Sequence, residues 1–232
     1  GESCGVLVVA EPAAATADWL AATVAVLGAH LGALVVGERL HERLERGYVA
    51  TIEALIGTLE AKDPYTAGHS NRVAAYSLAI GVELGLPESM LPDLHTGAIL
   101  HDIGKIGVVD SILLKPTRLS EDEFDQIKDH PRRGARIIDA FNRSASVLGI
   151  VFHHHERYDG RGYPAGLRGV DIPLAARIVN VADAFDAMTT NRPYGKTRTH
   201  AEATIELQSG AGSQFDPQVV AALIRARGNG RI

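Results

Sequence analysis

The stretch Leu100-His101-Asp102-Ile103-Gly104-Lys105 decides how the rest of the chain is interpreted. His101 offers a neutral nitrogen ligand, and Asp102 offers a carboxylate whose two oxygens can bridge two cations. The residues just before the pair, Leu94 to Leu100, are typical of a buried helix. Lys105 follows the pair and places a cation beside it, which suits an anionic substrate such as a phosphodiester. A lone His-Asp pair is more often hydrogen bonded than metal bound, so the other candidate ligands decide between the two readings.

Composition and charge narrow the class of protein. The chain has 232 residues, 46% of them hydrophobic, which fits a globular fold. Its net charge of -5 argues against a general nucleic-acid-binding surface. A single cysteine, Cys4, excludes an internal disulfide framework and fits a reducing compartment, so we expect a cytoplasmic protein without a secretory signal. Five of the ten histidines fall between His101 and His155, which points to metal ligation.

An uncharged run of 18 residues, from Trp19 to Val36, is close to the minimum length of a membrane span. Its larger apolar residues recur at a 4-3-4-3 spacing, which is a heptad seam: Leu20, Val24, Leu27, Leu31 and Leu34. This spacing favours helix–helix packing over contact with lipid, so a membrane span is not expected. We predict a parallel homodimer through residues 16–60. The alternative is that the seam packs against the chain's own body.

The N-terminal region predicts a short strand followed by one long helix. The strand covers Gly5 to Ala10, and the helix begins near Thr16 and continues to about Ala61. This pair resembles the last strand and last helix of a GAF-type sensor domain that runs on into a signalling helix. A plain N-terminal helical extension explains the same residues. We therefore divide the chain into residues 1–47, a partial sensor domain with its linker helix, and residues 48–232, a second domain.

Beyond Asp63 the spacing of apolar residues predicts an almost entirely helical domain. Ser120, followed three residues later by Glu123, predicts a capping box at a helix start. Asp216 and Pro217 predict another helix start. The remaining predictions are a helix with His69 and Arg72, helices over 132–141, 146–154 and 175–190, and a Gly/Pro-rich loop over 157–174.

Several histidines and aspartates sit beside helix ends or among apolar helical residues. They are His69, His130, His153, His154, His155, Asp183 and Asp186. Each of them alone is more often a structural residue than a ligand. Together with His101 and Asp102 they are too many for one tetrahedral zinc ion. Mixed imidazole and carboxylate ligands fit two octahedral iron or manganese ions better.

Several motifs in order resemble the HD-GYP family. They are the His101–Lys105 motif, His130-Pro131, and the run from His154 through Gly162-Tyr163-Pro164. The resemblance covers about residues 48 to 226. It implies an all-α HD-domain helical bundle with a Gly/Pro-rich loop, here preceded by the short strand and long signalling helix. It also implies an iron or manganese centre that hydrolyses the bacterial second messenger cyclic di-GMP to linear pGpG, GMP or both.

The same resemblance assigns roles residue by residue. The implied metal ligands are His69, His101, Asp102, His130, His154, His155 and Asp183. Asp102 would bridge the two ions and, with Lys105, act in catalysis. Lys105, Tyr163 and Arg192 would contact the substrate phosphates. His153, Glu156 and Asp186 would orient ligand imidazoles or hold metal-bound water.

Two other functions stay open at this point. One is an HD hydrolase acting on another cyclic dinucleotide or phosphoester, and the other is a binding-only relay that keeps its metal. The number of metal ions depends on one further position, because some family members carry a glutamate four residues before the first ligand histidine. Here that position is Tyr65, a neutral and poor ligand at pH 7. We therefore predict two metal ions and no third, with cleavage stalling more readily at the linear dinucleotide.

Overall fold

The computed structural model describes residues 17–62, 68–140, 144–190 and 197–232. The predicted strand over Gly5–Ala10, the helix start at Asp63–Thr66, and Arg192 lie outside the described residues. Within those residues the chain is helical and contains no sheet, only an isolated bridge between Ala211 and Phe215. The predicted all-α fold is confirmed for this part of the chain.

The first helix, α1, runs unbroken over Ala17–Lys62, as the sequence predicts. The chain divides into two units, residues 1–53 and 54–232. In the first unit, the seam residues Leu27, Leu31 and Leu34 are exposed. The stretch Ala21–Glu60 is long and apolar enough to cross a membrane by length and composition alone. Exposure of the seam in a single chain does not test the predicted homodimer, which stays a prediction.

The second unit holds the remaining helices. They are α2 (His69–Glu83), α3 (Leu91–Leu100), α4 (Asp110–Leu113), α5 (Glu121–Lys128), α6 (His130–Asp139), α7 (Ala145–His153), α8 (Leu174–Thr189), α9 (His200–Ser209) and α10 (Pro217–Gly228). Helix α2 packs against α3, α8 and α10, while α7 packs against α3, α6 and α8. Fully buried side chains such as Ile80, Leu100, Ile150 and Phe185 fill the space between them. This apolar packing is the main source of the unit's stability.

Local sequence signals account for several helix starts. The Ser120 hydroxyl accepts a hydrogen bond from the Glu123 N–H, and the Glu123 carboxylate accepts one from the Ser120 N–H, so the predicted capping box is confirmed. Asp216 caps α10 through the Gln218 N–H, with Pro217 at the first helical position. A second capping box, Thr199 with Glu202, opens α9, a helix that the apolar spacing did not reveal.

The placement of His130 differs from the prediction. The sequence suggests a helix end at His130, but α5 ends at Lys128 and α6 begins at His130 itself. The proline that follows is tolerated there because the first turn of a helix does not use its backbone N–H groups. His130 therefore opens a helix whose first turn faces the residues after α3.

Gly104 has a packing role that the sequence does not reveal. Residues Ile103–Gly107 form a 3₁₀ turn after α3. A Cβ atom on Gly104 would lie 1.9 Å from the His130 carbonyl oxygen and 2.5 Å from the Gly134 nitrogen. Only glycine allows this approach, and the approach brings the start of α6 against Asp102. The close approach of α6 explains why position 104 is a glycine.

Candidate metal centre and active site

Three buried histidines are oriented in the same way. In each, the ring Nδ1 lies within hydrogen-bonding distance of the carbonyl oxygen three residues earlier, and a protonated Nδ1 donates to it. The pairs are His101 with Ala98 at 2.6 Å, His130 with Ile127 at 2.7 Å, and His154 with Val151 at 2.9 Å. A proton on Nδ1 leaves the lone pair on Nε2, the form in which imidazole binds a metal.

The candidate ligands form two adjacent groups. One contains Asp102, His130, His154 and His155, and the other contains His69, His101 and Asp183. Within each group the ligand atoms lie within 4.8 Å of one another. Asp102 faces both groups, because its Oδ1 is 3.2 Å from His130 Nε2 and its Oδ2 is 3.4 Å from His101 Nε2. One carboxylate is thus placed to serve two ions.

The donor atoms fit divalent cations. The buried His101 Nε2 and Asp102 Oδ1 have no hydrogen-bond partner among the described residues. A buried polar atom left without a partner is costly, and a cation would satisfy both atoms. Five imidazoles and two carboxylates make up the two groups, a mixture that suits iron or manganese.

His69 is held by a carboxylate and an arginine. Its Nδ1 lies 2.7 Å from Asp186 Oδ2, while its Nε2 lies 3.3 Å from Asp183 Oδ1. Asp186 in turn accepts hydrogen bonds from Arg72 Nε at 2.6 Å and Nη2 at 3.1 Å. Arg72 received no role from the sequence. It lies three residues after His69 on the same side of α2, but no local pattern links it to Asp186, which is 114 residues away.

The ionisation of Asp102, His154 and His155 favours metal binding, whereas the protonated His69 opposes it. Burial and neighbouring histidines lower the pKa of His154, and burial above all lowers that of His155 to about 3, so both rings stay neutral at pH 7. Burial alone would raise the pKa of Asp102, but Lys105 and His101 hold it well below its usual range. Burial would also lower the pKa of His69, yet hydrogen bonds with Asp183 and Asp186 raise it to about 9.

Two of the predicted substrate contacts border the ligand groups. Lys105 Nζ lies 2.5 Å from Asp102 Oδ2. The ring of Tyr163 lies 4.9 Å from the ring of His155, measured between centroids. Burial, followed by the charges of Asp102 and Asp183, raises the pKa of Tyr163, so its phenol keeps its proton. Arg192 lies outside the described residues, and its role remains a prediction.

Glu156 holds the loop that carries Tyr163. Its buried carboxylate accepts hydrogen bonds from the N–H groups of Ala165 at 2.7 Å, Gly166 at 3.1 Å and Leu167 at 3.1 Å. Glu156 therefore anchors this loop, and its sequence-based role next to a ligand imidazole or metal-bound water stays a prediction. Glu156 can anchor the loop because the chain turns back over it at Ala165, Gly166 and Leu167 and presents their N–H groups to its carboxylate.

His153 lies beside Glu156 at the end of α7. Its Nδ1 is 3.5 Å from Glu156 Oε1, and its side chain lines a groove between α6 and α7 together with Arg132 and Phe152. Successive side chains on a helix point about 100° apart, so His153 faces away from the direction taken by His154. Its role in orienting a ligand stays a prediction.

Two glycines of the loop occupy positions that other residues would not fit. Gly160 has a φ of 82°, a conformation that favours glycine. A Cβ atom on Gly162 would lie 2.2 Å from the Arg157 nitrogen, so only glycine fits that close approach. These two positions allow the backbone to fold tightly beside the candidate centre.

A pocket of about 380 Å³ opens beside the two ligand groups. His155 and Asp183 line it, and so do Asn180 and Gln214. Asn180 also positions the ligand segment, because its Nδ2 donates to the His154 carbonyl oxygen at 2.7 Å. No sequence motif pointed to Asn180, although Asn180 precedes Asp183 by about one helical turn.

Comparison with known proteins places the chain in a family. A family model described as HD domain matches residues 53–219. The chain belongs to the HD domain family. The match does not reach the predicted strand or residues 17–52, so the sensor-domain fragment remains a prediction.

Curated relatives support the HD-GYP assignment of this HD domain. It is 42% identical to the cyclic di-GMP phosphodiesterase response regulator RpfG of Xanthomonas campestris, over 76% of this chain and 47% of the relative. It is 42% identical to a cyclic di-GMP phosphodiesterase of Thermotoga maritima, over 75% of this chain and 48% of the relative. It is 36% identical to the 3'3'-cGAMP-specific phosphodiesterase 3 of Vibrio cholerae, over 80% of this chain and 41% of the relative. The chain spans about half the length of the curated relatives it matches.

Solved structures agree with the fold of the HD domain. An HDG"Y"P protein from Bdellovibrio bacteriovorus, Bd1817, superimposes with a TM-score of 0.56 and 26% identity, over 69% of this chain and 51% of that one. A cyclic GMP-AMP phosphodiesterase of Vibrio cholerae superimposes with a TM-score of 0.60 and 22% identity, over 78% and 49%. At 22% identity the second comparison supports the fold alone.

Proposed function

We propose that this HD domain is a metal-dependent phosphodiesterase that hydrolyses cyclic di-GMP to linear pGpG, GMP or both. The observation that carries the proposal is the convergence of seven candidate ligand side chains into two groups, with Asp102 of one group 3.4 Å from His101 of the other. The names of the relatives that are 42% identical support cyclic di-GMP as the substrate. The pocket beside the two groups gives a nucleotide a place to bind.

The proposed cofactor is a pair of iron or manganese ions. His69, His101 and Asp183 would hold one ion, the three residues His130, His154 and His155 would hold the other, and Asp102 would serve both. When bound, two divalent cations supply charge neutralisation at the phosphodiester and lower the pKa of water at the site. The neutral His154 and His155 and the ionised Asp102 are already in the protonation states that ligands need.

The chain's own residues contribute positioning and charge. Lys105 places an ammonium group at the edge of the centre, where it would stabilise the negative charge that grows on the phosphoryl oxygens. Tyr163 keeps its proton and can donate a hydrogen bond to a phosphate oxygen. Arg192, assigned from the sequence, would bind phosphate through two N–H groups. Asp186, itself held by Arg72, would keep His69 aligned with Nε2 toward the ion.

A mixed cyclic dinucleotide is the second candidate substrate. The observation that favours it is the 36% identity to a 3'3'-cGAMP-specific phosphodiesterase of Vibrio cholerae. The ligand groups alone do not separate the two substrates, because both contain the same 3'-5' phosphodiester linkage. The bases differ, so the residues of the pocket wall would decide between them.

The assembly and location of the protein are part of the proposal. We infer a parallel homodimer along residues 16–60 in the cytoplasm. The exposure of Leu27, Leu31 and Leu34 on α1 supports it, because a heptad seam of this kind is stable in water when a second helix covers it.

The test of the function is a turnover assay with purified chain loaded with Mn²⁺ or, without oxygen, with Fe²⁺. The panel contains cyclic di-GMP, 3'3'-cGAMP and cyclic di-AMP, and the products are separated by chromatography. We expect the fastest hydrolysis with cyclic di-GMP and accumulation of pGpG before GMP. If the loaded chain binds cyclic di-GMP but hydrolyses none of the three, it is a binding relay and the proposal is wrong.

A further inference from the structure

The last turn of α1 reaches toward both halves of the candidate metal centre. Glu60 and Lys62 lie two residues apart on this helix, so their side chains point about 200° apart. Each makes contacts with a different ligand-bearing segment. Both residues belong to the same structural unit as the ligands, residues 54–232.

Glu60 contacts the segment that carries His69. Its Oε1 accepts a hydrogen bond of 2.7 Å from the Gly68 N–H. Gly68 is the N-cap residue of α2, with a φ of 67°, and has no side chain with which to cap the helix. A carboxylate near a helix N-terminus is also favoured by the helix dipole. Glu60 thus fixes the backbone immediately before the ligand His69.

Lys62 contacts the segment that follows Asp102. Its Nζ donates hydrogen bonds to the carbonyl oxygens of Ile106 at 2.8 Å and Val108 at 2.6 Å, and it lies 3.4 Å from Asp110 Oδ1. The Lys62 side chain is only 22% exposed. These carbonyls close the 3₁₀ turn Ile103–Gly107, which contains Lys105.

We propose that Glu60 and Lys62 are positioning residues that set the geometry of the two ligand groups from the end of α1. Neither touches a ligand atom or the pocket beside the centre. Glu60 acts on the group that contains His69, while Lys62 acts on the turn next to the shared Asp102. The position of this one helix end therefore determines both metal affinities and the placement of Lys105. This inference rests on the proposed metal-dependent function.

The test measures Mn²⁺ binding to the metal-free full chain by titration calorimetry. Glu60→Ala should weaken one of the two binding steps by roughly 10-fold or more, in line with the cost of losing an outer contact of a metal site. Lys62→Met should weaken both steps, because Asp102 serves both ions. Glu53→Ala is the matched control, since it makes the same change at an exposed position of the same helix.

Conservative variants separate positioning from general structural damage. Glu60→Gln keeps an oxygen acceptor and Lys62→Arg keeps a cationic donor, so both should restore most of the lost affinity. Helical content by circular dichroism should match the unmodified chain in all variants. If Lys62→Met does not fold, the comparison of Glu60→Ala with Glu60→Gln still decides the question for the His69 side.

The outcomes distinguish this inference from the proposed function. Mn²⁺ affinities of Glu60→Ala and Lys62→Met equal to that of Glu53→Ala would overturn the positioning role while leaving the phosphodiesterase intact. If the unmodified chain binds Mn²⁺ but hydrolyses no cyclic dinucleotide, the substrate assignment is wrong. The Mn²⁺ affinities of the variants still test the positioning role. Absence of Mn²⁺ binding by the unmodified chain would overturn both.

Discussion

At the scale of single residues, Asp102 is the point at which the two ligand groups meet. Its carboxylate lies between His101 and His130, and its buried Oδ1 has no hydrogen-bond partner among the described residues. Replacing it with alanine would remove the ligand that we propose serves both ions. We expect Asp102→Ala to lose most of its bound metal, measured by elemental analysis after purification. Full metal content together with full activity would defeat the assignment of Asp102 as the bridge.

Lys105 is proposed to supply charge to the site without holding metal. Lys105→Ala should therefore retain both ions but lose roughly 10²-fold in turnover, the usual cost of removing one transition-state donor. Lys115→Ala is the control, because Lys115 pairs with Glu123, which belongs to neither ligand group. The same loss is expected for Arg192→Ala. An unchanged kcat in both variants would rule out their phosphate-binding role.

The buried histidines also make stability depend on pH in the metal-free chain. His154 and His155 have lowered pKa values in the native state and titrate near 6.5 when unfolded, so the unfolded chain binds more protons below that pH. Stability from these two residues is lost as the pH falls. His69 opposes them in part, because its pKa is raised to about 9 and its stabilisation is present below 6.5 and lost as pH rises through 9.

The net effect between pH 7 and pH 5.5 is a loss of about 1 to 2 kcal/mol, since two histidines outweigh one. We expect the melting temperature of the chelator-treated chain to fall by about 3 to 6 °C over this interval, followed by circular dichroism. A melting temperature that rises on acidification would mean that these rings are not held neutral in the native state.

At the scale of elements, α1 has an apolar seam that a single helix cannot bury. Leu31 is 51% exposed and Leu34 is 69% exposed. A parallel dimer would cover this seam, so light scattering at tens of micromolar chain should give twice the monomer mass. Replacing Leu27 and Leu31 by Lys should reduce that mass to the monomer. A monomer before any substitution would contradict the dimer, and partition into detergent micelles would favour a membrane span.

Local sequence signals were sufficient to predict several of the helices. Spacing and capping residues predicted α1, α5, α8 and α10 because those signals are local: Ser120 with Glu123 is readable without any tertiary information. The seven ligands were predicted through motifs, and the structure brings all seven into the two groups. Their individual roles remain predictions.

Other features depend on contacts between distant segments and left no local pattern. Arg72 matters only because α8 brings Asp186 to it. Gly104 is required only because α6 passes against its turn. Glu156 serves the loop because residues 165–167 fold back over it. The spacing of residues along a chain carries no information of this kind.

At the scale of the whole molecule, the central claim is a pair of divalent ions that share Asp102. In the sequence, Tyr65 stands where some HD-GYP proteins carry a glutamate, so we expect two ions and no third. The most direct measurement is anomalous scattering above the iron or manganese absorption edge from crystals of the metal-loaded chain. We predict two full peaks, one on each side of the Asp102 carboxylate. Three full peaks, or no peak beside Asp102, would contradict the claim.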